Sequence, residues 1–268
     1  IVEKIRPVTF GADKRLRVQS GGGLSMGLFS PRVLAGGALL YAATAGGFYL
    51  IVKKNEGSQL PQFEGPLSER TKAVYSNLAK KYDNMVGLDE FFMGISSLRK
   101  QLVANCSGSV LEVAAGTGRN FKYYPEHCNV IAADNSPGMV EVCKEKAKEL
   151  EKSIVVMEGD AQKIHAPDST FDTVVDTFGL CSFSDPVEAL REMKRVVKPG
   201  GKILLLEHGK SHYQWLTTFL NERADAHAER YGCYWNRDIL ALVEKSGLRV
   251  EEVKRRHFGT TYYIIVNA

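Results

Sequence analysis

No two cysteines of this chain stand at a metal-binding spacing. Cys106, Cys128, Cys143, Cys181 and Cys233 are far apart, odd in number and without a Cys-x-x-Cys pair. That pattern argues against a zinc site, an iron–sulfur cluster and a disulfide scaffold, and predicts free thiols in a reducing space with no metal. Charge of one sign is equally scarce. The net charge is only +4, and its basic residues are scattered, so the footprint of a nucleic-acid binder is missing and nucleic acid is not an expected partner. The chain starts at Ile1 rather than Met, which is expected either after removal of a leader or when a sequence begins inside its gene product.

What is present divides the chain in two. At 268 residues and 44% hydrophobic, it can build one sizeable core with about 60 residues left over. Residues 1–32 form an arm with six basic residues (Lys4, Arg6, Lys14, Arg15, Arg17, Arg32) against Glu3 and Asp13. Val33 to Val52 is then twenty residues without a charge, closed by Lys53-Lys54. About twenty apolar residues cross a hydrocarbon core, so 33–52 is expected to be a transmembrane helix and the membrane a partner. The pairs Gly36-Gly37 and Gly46-Gly47 suit close helix packing, or merely tolerate lipid. Residues 53–68, rich in Gly, Ser, Gln and Pro between Asn55 and Gly65, read as a tether, and 69–268 as the folded domain.

Helical spacing marks Leu67 to Val103 as two or three helices broken near Asn84 to Gly87. Strands and helices then alternate. Strands are expected at Ser109–Ala114, Asn129–Ala133, Ile154–Glu158, Thr173–Asp176 and Lys202–Leu206, with helices near Phe121–Tyr124, Gly138–Glu151 and Val187–Val196. Arg249–His257, Gly259 and Thr261–Val266 read as an antiparallel closing pair. The fold class is therefore α/β, a Rossmann-like seven-stranded mixed sheet with helices on both faces, preceded by the transmembrane helix.

In an open parallel sheet, ligands sit at the carboxyl ends of the strands where strand order reverses. Val110 to Asn120 is a short apolar strand ending in a turn of small residues. Gly116 and Gly118 would let a ligand lie against the backbone, and amides at the following helix start could meet a carboxylate. Glu112, inside the strand, could accept from the ligand's amine or from loop amides. Asp134, sixteen residues after Gly118, stands where a carboxylate can accept both ribose hydroxyls. Asp160 and the backbone of Ala161 could read the adenine edge. Together they point to S-adenosylmethionine. A dinucleotide dehydrogenase would need a third small residue where this chain has Phe121.

From about Tyr75 to Ala268 the chain resembles the class I S-adenosylmethionine-dependent methyltransferases, in the branch of the ubiquinone and menaquinone C-methyltransferases. Leu111–Gly118 resembles that family's first motif, Val130–Met139 its second, Glu158-Gly-Asp-Ala161 its third, and Leu190–Ile203 its late helix and turn. Asn120–Pro125, Leu180-Cys-Ser182 and Glu207-His208 are similar to membrane-anchored methyltransferase-like proteins, among them a fungal mitochondrial inner-membrane member and animal thiol-methylating ones. Ala114 departs from the pattern, since the family often has its first Gly there. The resemblance implies that Tyr75 and Tyr82 belong to a helical lid over the cofactor, and that Asn135, Thr177 and Phe178 lie along it, the last two beside the transferred methyl. No Asn- or Asp-Pro-Pro-aromatic tetrapeptide follows the fourth strand, which argues against amino methylation of nucleic-acid bases.

Methyl transfer from a sulfonium is an in-line displacement that needs mainly alignment. A thiolate acceptor needs little help, whereas a phenol or ring carbon must lose a proton; His208, at the end of the fifth strand, is the expected catalytic base. The dense aromatics Tyr213, Trp215, Phe219, Tyr231, Tyr234 and Trp235 read as a cover for a small apolar acceptor or as a docking face. The alternative to an enzyme is a catalytically silent subunit or assembly factor with inner-membrane complex subunits as partners. The mitochondrial inner membrane is the expected location, ahead of the endoplasmic reticulum. Six basic residues before the span against four after it (Lys53, Lys54, Arg70, Lys72) place the domain on the intermembrane side.

Overall fold

The computed structural model describes residues 67–268. The arm, the transmembrane segment 33–52 and nearly all of the 53–68 tether lie outside the described residues. Among the described residues no helix is long and apolar enough to cross a membrane.

The domain begins with helix α1 (Leu67–Phe92) and helix α2 (Ile95–Val103). The break expected near Asn84 to Gly87 does not occur. One isolated Gly87 costs a helix only about 1 kcal/mol, and Asp83 and Glu90, on either side of it, are both held by Arg119. The chain turns at Gly94 instead, where φ is 67°, a conformation that glycine adopts without a Cβ clash.

Seven strands follow: β1 (Ser109–Val113), β2 (Asn129–Asp134), β3 (Ile154–Glu158), β4 (Phe171–Thr177), β5 (Val197–His208), β6 (Arg249–Arg256) and β7 (Thr261–Asn267). Their order is β3-β2-β1-β4-β5-β7-β6. The first five are mutually parallel, and β7 runs antiparallel to both β5 and β6, as the closing strand–turn–strand pattern predicts. β5 starts earlier than expected, because the Pro199-Gly200-Gly201 kink lies within it and Gly200 bonds back to the Ala268 carbonyl. Helices α3 (Pro137–Glu149), α4 (Pro186–Val196), α5 (Gln214–Glu222), α6 (Ala224–Tyr231) and α7 (Ile239–Lys245) complete the fold. Ser136 and Asp185 each accept the amide three residues on, ahead of a proline in the first turn, and so fix where α3 and α4 start.

The sheet buries both faces. Along β5, Ile203 and Leu205 face a core shared with Leu190 and Met193 of α4 and Ile239 and Val243 of α7. Leu204 and Leu206 face the opposite core, with Leu102 and Val103 of α2, Phe121, and Cys143 and Ala147 of α3. This alternation follows from the pleat.

Helix α1 seats on the start of α3. Ser76 Oγ and Ser136 Oγ are 2.9 Å apart, and a Cβ on Gly138 would lie 2.5 Å from the Ser76 carbonyl oxygen and 2.8 Å from its Cα. Neither atom belongs to a side chain that could swing away. Gly138→Ala is therefore expected to push α1 off α3 and to cost about 1–3 kcal/mol. Urea unfolding followed by far-ultraviolet circular dichroism should show a lower midpoint; an unchanged midpoint would mean that α1 does not pack there.

Candidate functional site

A cleft opens at the carboxyl end of the parallel strands. It sits where β1 lies between β2 and β4, the point at which strand order reverses. Gly116, with φ of 57°, lines it, and a Cβ added there would meet nothing. Its amide donates to Asp134 Oδ2 at 2.8 Å, and the Ser136 amide donates to Oδ1 at 2.9 Å. Asp134 is thus aimed by two backbone donors at the end of β2, with its remaining lone pairs on the cleft wall. Burial raises its pKa against the pull of those two amides.

Ala114, Asn135, Ala161, Thr177 and Tyr82 also line the cleft. Gly118 does not. Its φ is 74°, and a Cβ there would strike the ring of buried Phe121 at 2.7 Å, so its smallness serves the turn. Asp160 is exposed and outside the lining, with Oδ1 accepting from the Gln162 amide and side chain. Ala114 has φ of 47° and lies close under Gly179. The position where the family often has glycine therefore takes a left-handed backbone in this chain, and alanine adopts it at a cost of about 1–2 kcal/mol.

Glu112, expected to accept from the ligand's amine or from loop amides, does not line the cleft. It is fully buried behind the turn, and its oxygens accept from Asn120 Nδ2 and Tyr124 Oη, each at 2.8 Å. His208 also stays out of the lining. Its ring packs against Phe178, which does line the cleft, and its Nε2 is 3.6 Å from Cys233 Sγ.

Several groups were not anticipated. Arg99 of α2 is buried; Nη1 donates to Thr177 Oγ1 at 2.7 Å and to Asn120 Oδ1 at 3.1 Å, and Nη2 to Glu90 Oε1 at 2.8 Å. Arg119 joins Glu90 at 2.8 Å and Asp83 at 3.0 Å, and Asp83 also takes Thr117 Oγ1 and Lys146. Burial alone would raise the Glu90 pKa, but Arg99 and Arg119 hold it below the ordinary range. Helix α1 is thereby fastened to the glycine turn by charge. A charged residue at a helical position reads from sequence as a solvated face, so only the neighbouring Asn120-Phe-Lys stretch carried a signal.

The separation of the cysteines in sequence does not persist in space. Cys181, in the loop after β4, His208, at the end of β5, and Cys233, after α6, place their sulfur and nitrogen atoms within 4.8 Å of one another. All the described cysteines are free thiols. The Cys233 thiol and the His208 ring hold Cys181 well below the usual thiol range. Tyr75, on the cleft wall, hydrogen bonds to Ser182 at 2.9 Å beside this cluster.

The burial of Glu112 has a measurable sign. Desolvation, opposed by Tyr124 and Asn120, pushes its pKa from 4.5 up to about 7. The folded state then binds more protons than the unfolded state between these values, so this residue's contribution is favourable below pH 4.5 and is lost as pH rises through 7. The stability of wild type relative to Glu112→Gln should fall by about 3 kcal/mol over that window and level off above it. Denaturation at a series of pH values checks this, and parallel curves for the two proteins would contradict it.

A family model described as a methyltransferase domain matches residues 111–205, the stretch from β1 to β5. The mitochondrial methyltransferase OMS1 of Saccharomyces cerevisiae is 35% identical over 214 residues, which is 73% of this chain and 45% of that protein. The chain thus spans less than half the length of that relative. The ubiquinone/menaquinone biosynthesis C-methyltransferase UbiE of Cronobacter sakazakii is 31% identical over 193 residues, covering 68% of this chain and 70% of that enzyme. Among solved structures, a Haloferax volcanii methyltransferase complex with the Trm112 activator matches with a TM-score of 0.58 at 15% identity, over 72% of this chain and 97% of that one. That likeness speaks to the fold alone. With the sheet order, the glycine turn and the UbiE coverage in agreement, the chain belongs to the class I S-adenosylmethionine-dependent methyltransferases.

Proposed function

We propose that this protein is an active, membrane-anchored methyltransferase that carries a methyl group from S-adenosylmethionine to a small apolar acceptor, a quinone-like ring or a thiol. The observation that carries the reading is Asp134, lying on the cleft wall and fixed by the Gly116 and Ser136 amides. It would take the ribose hydroxyls, while Gly116 and Ala114 face the methionine part and Ala161, with Asp160 nearby, the adenine. Gly118 supports this by shaping the turn. The sulfonium supplies the leaving group, and the residues around Thr177 and Phe178 would align the acceptor behind the methyl. Phe178, Phe183, Tyr75 and Tyr82 give that end an apolar wall, which suits a ring or alkyl thiol and excludes water. A thiolate acceptor needs no base; for a ring carbon, His208 is the nearest imidazole, one ring behind Phe178.

The anchor is assigned to residues 33–52 and the location to the mitochondrial inner membrane, a reading supported by the apolar run and by the similarity to OMS1. Large apolar side chains on the surface support a membrane or partner face: Leu88, Phe91 and Phe92 on α1, and Trp215 and Phe219 on α5, are all exposed. A catalytically silent subunit of an inner-membrane complex is the competing reading, favoured by the strained Ala114 at the cofactor turn.

Two measurements separate these. Calorimetric titration with S-adenosylmethionine should give heat with wild type and an affinity at least about tenfold weaker in Asp134→Ala, since losing charge-assisted hydrogen bonds costs about 1.5–3 kcal/mol. Incubation of methyl-labelled cofactor with mitochondrial membrane extract should yield a labelled lipid-phase product. No heat, or equal affinities, would remove the cofactor assignment; cofactor binding without any labelled product would favour the silent subunit.

A further inference from the structure

We propose that Cys181, His208 and Cys233 form a binding site for a zinc-class ion at the acceptor end of the cleft, with His227 completing the coordination. Zinc bound tetrahedrally, at about 2.3 Å to sulfur and about 2.0–2.1 Å to nitrogen, requires sulfur-to-nitrogen edges of about 3.6 Å. The Cys233 Sγ to His208 Nε2 distance is 3.6 Å, and Cys233 Sγ to His227 Nε2 is 3.3 Å. Cys181 Sγ lies within 4.8 Å of both Cys233 and His208 ligand atoms. Three donors already surround one point, and His227, close to Cys233 but outside that group, would move toward Cys181 and His208 to become the fourth. Two thiols with two imidazoles is a donor set that selects zinc over calcium or magnesium, which prefer oxygen.

The cluster lies in a buried setting. Asp176 and Glu207, the latter adjacent in sequence to His208, are fully buried and pair with one another and with the Gly179 amide. The one arginine close by, Arg237, spends its donors on the Leu180 and Phe183 carbonyls. The His227 ring is stacked on Trp235 at 3.8 Å, which fixes its orientation as ligand-supporting contacts do. The site would tie three separate segments together: the loop after β4, the end of β5, and α6 with the loop that follows it. It therefore holds the aromatic insert onto the sheet directly behind Phe178 and Ser182 of the cleft wall. It also gives His208 a ligand role in place of a general-base role. The ion is bound, not consumed, and each ligating thiol releases its proton to solvent on binding.

The test uses the purified full chain and the metals alone. After equilibration with zinc and removal of loose ions, elemental analysis should find one equivalent per chain, falling to background in Cys181→Ser and Cys233→Ser and unchanged in Cys143→Ser, whose thiol lies in the opposite core. Cobalt added to the metal-free wild type should give the intense visible bands of a tetrahedral ion and a thiolate-to-cobalt charge-transfer band, and His227→Ala should shift the visible bands. Zinc should also raise the unfolding temperature of wild type and not of Cys233→Ser. Circular dichroism shows whether the variants fold; should they not, the wild-type cobalt spectrum alone decides. Binding no greater in wild type than in Cys181→Ser, cobalt spectra without thiolate charge transfer, or peptide mapping that finds Cys181 and Cys233 joined as a disulfide would each overturn the site. None of these readouts depends on methyl transfer, so the metal site and the proposed activity can fail separately.

Discussion

The cleft is held together by one buried cation. Arg99 reaches from α2 to three places: Glu90 on α1, Asn120 after the glycine turn, and Thr177 at the end of β4. Asn120 in turn donates to Glu112 and to Thr177, so the strand ends, the turn and α1 share one polar network. Low dielectric makes such a network stiff when every member is satisfied and costly when one is lost. Removing one partner of a buried ion pair typically costs about 3–5 kcal/mol. Arg119 provides a second hold on Glu90 and ties it to Asp83, so α1 is fastened at two points about two turns apart on one face.

Two of the six described non-glycine residues with positive φ line the same cleft. Ala114 and Phe178, which follow β1 and β4, both have positive φ, a conformation disfavoured for L-residues by about 1–2 kcal/mol. Phe178 keeps it because its amide donates to the Leu206 carbonyl and its ring lies between the Arg99 guanidinium, 5.0 Å away, and His208. The ring so placed separates the cofactor cleft from the Cys181–His208–Cys233 cluster.

The parallel sheet was legible because each inner strand is a run of Val, Ile and Leu bounded by turn residues, and a strand buried on both faces requires that run. Ile154–Glu158 came out with its boundaries unchanged, and the glycine turn and Asp134 were legible from their spacing. Other features were settled by tertiary contact. The α1 helix crosses Gly87 unbroken because charges on both sides of it are anchored elsewhere. Glu112 was open to a ligand's amine or to loop amides, and Tyr124 and Asn120 claim it from behind the turn. The sulfur–imidazole cluster joins positions 181 and 233 through the packing of α6 on α1 and the bond from the Tyr234 amide to the Cys181 carbonyl, and no local spacing records that. Arg99 looked like one more helical cation until its burial set it apart.

The account rests on the cleft accepting S-adenosylmethionine in one orientation. A crystal structure of the full chain grown with S-adenosylhomocysteine tests this most directly. The ribose hydroxyls should lie on the Asp134 carboxylate, the adenine beside Ala161, and the sulfur toward Thr177 and Phe178. A nucleoside bound away from Asp134, or a cleft still empty at saturating ligand, would contradict it.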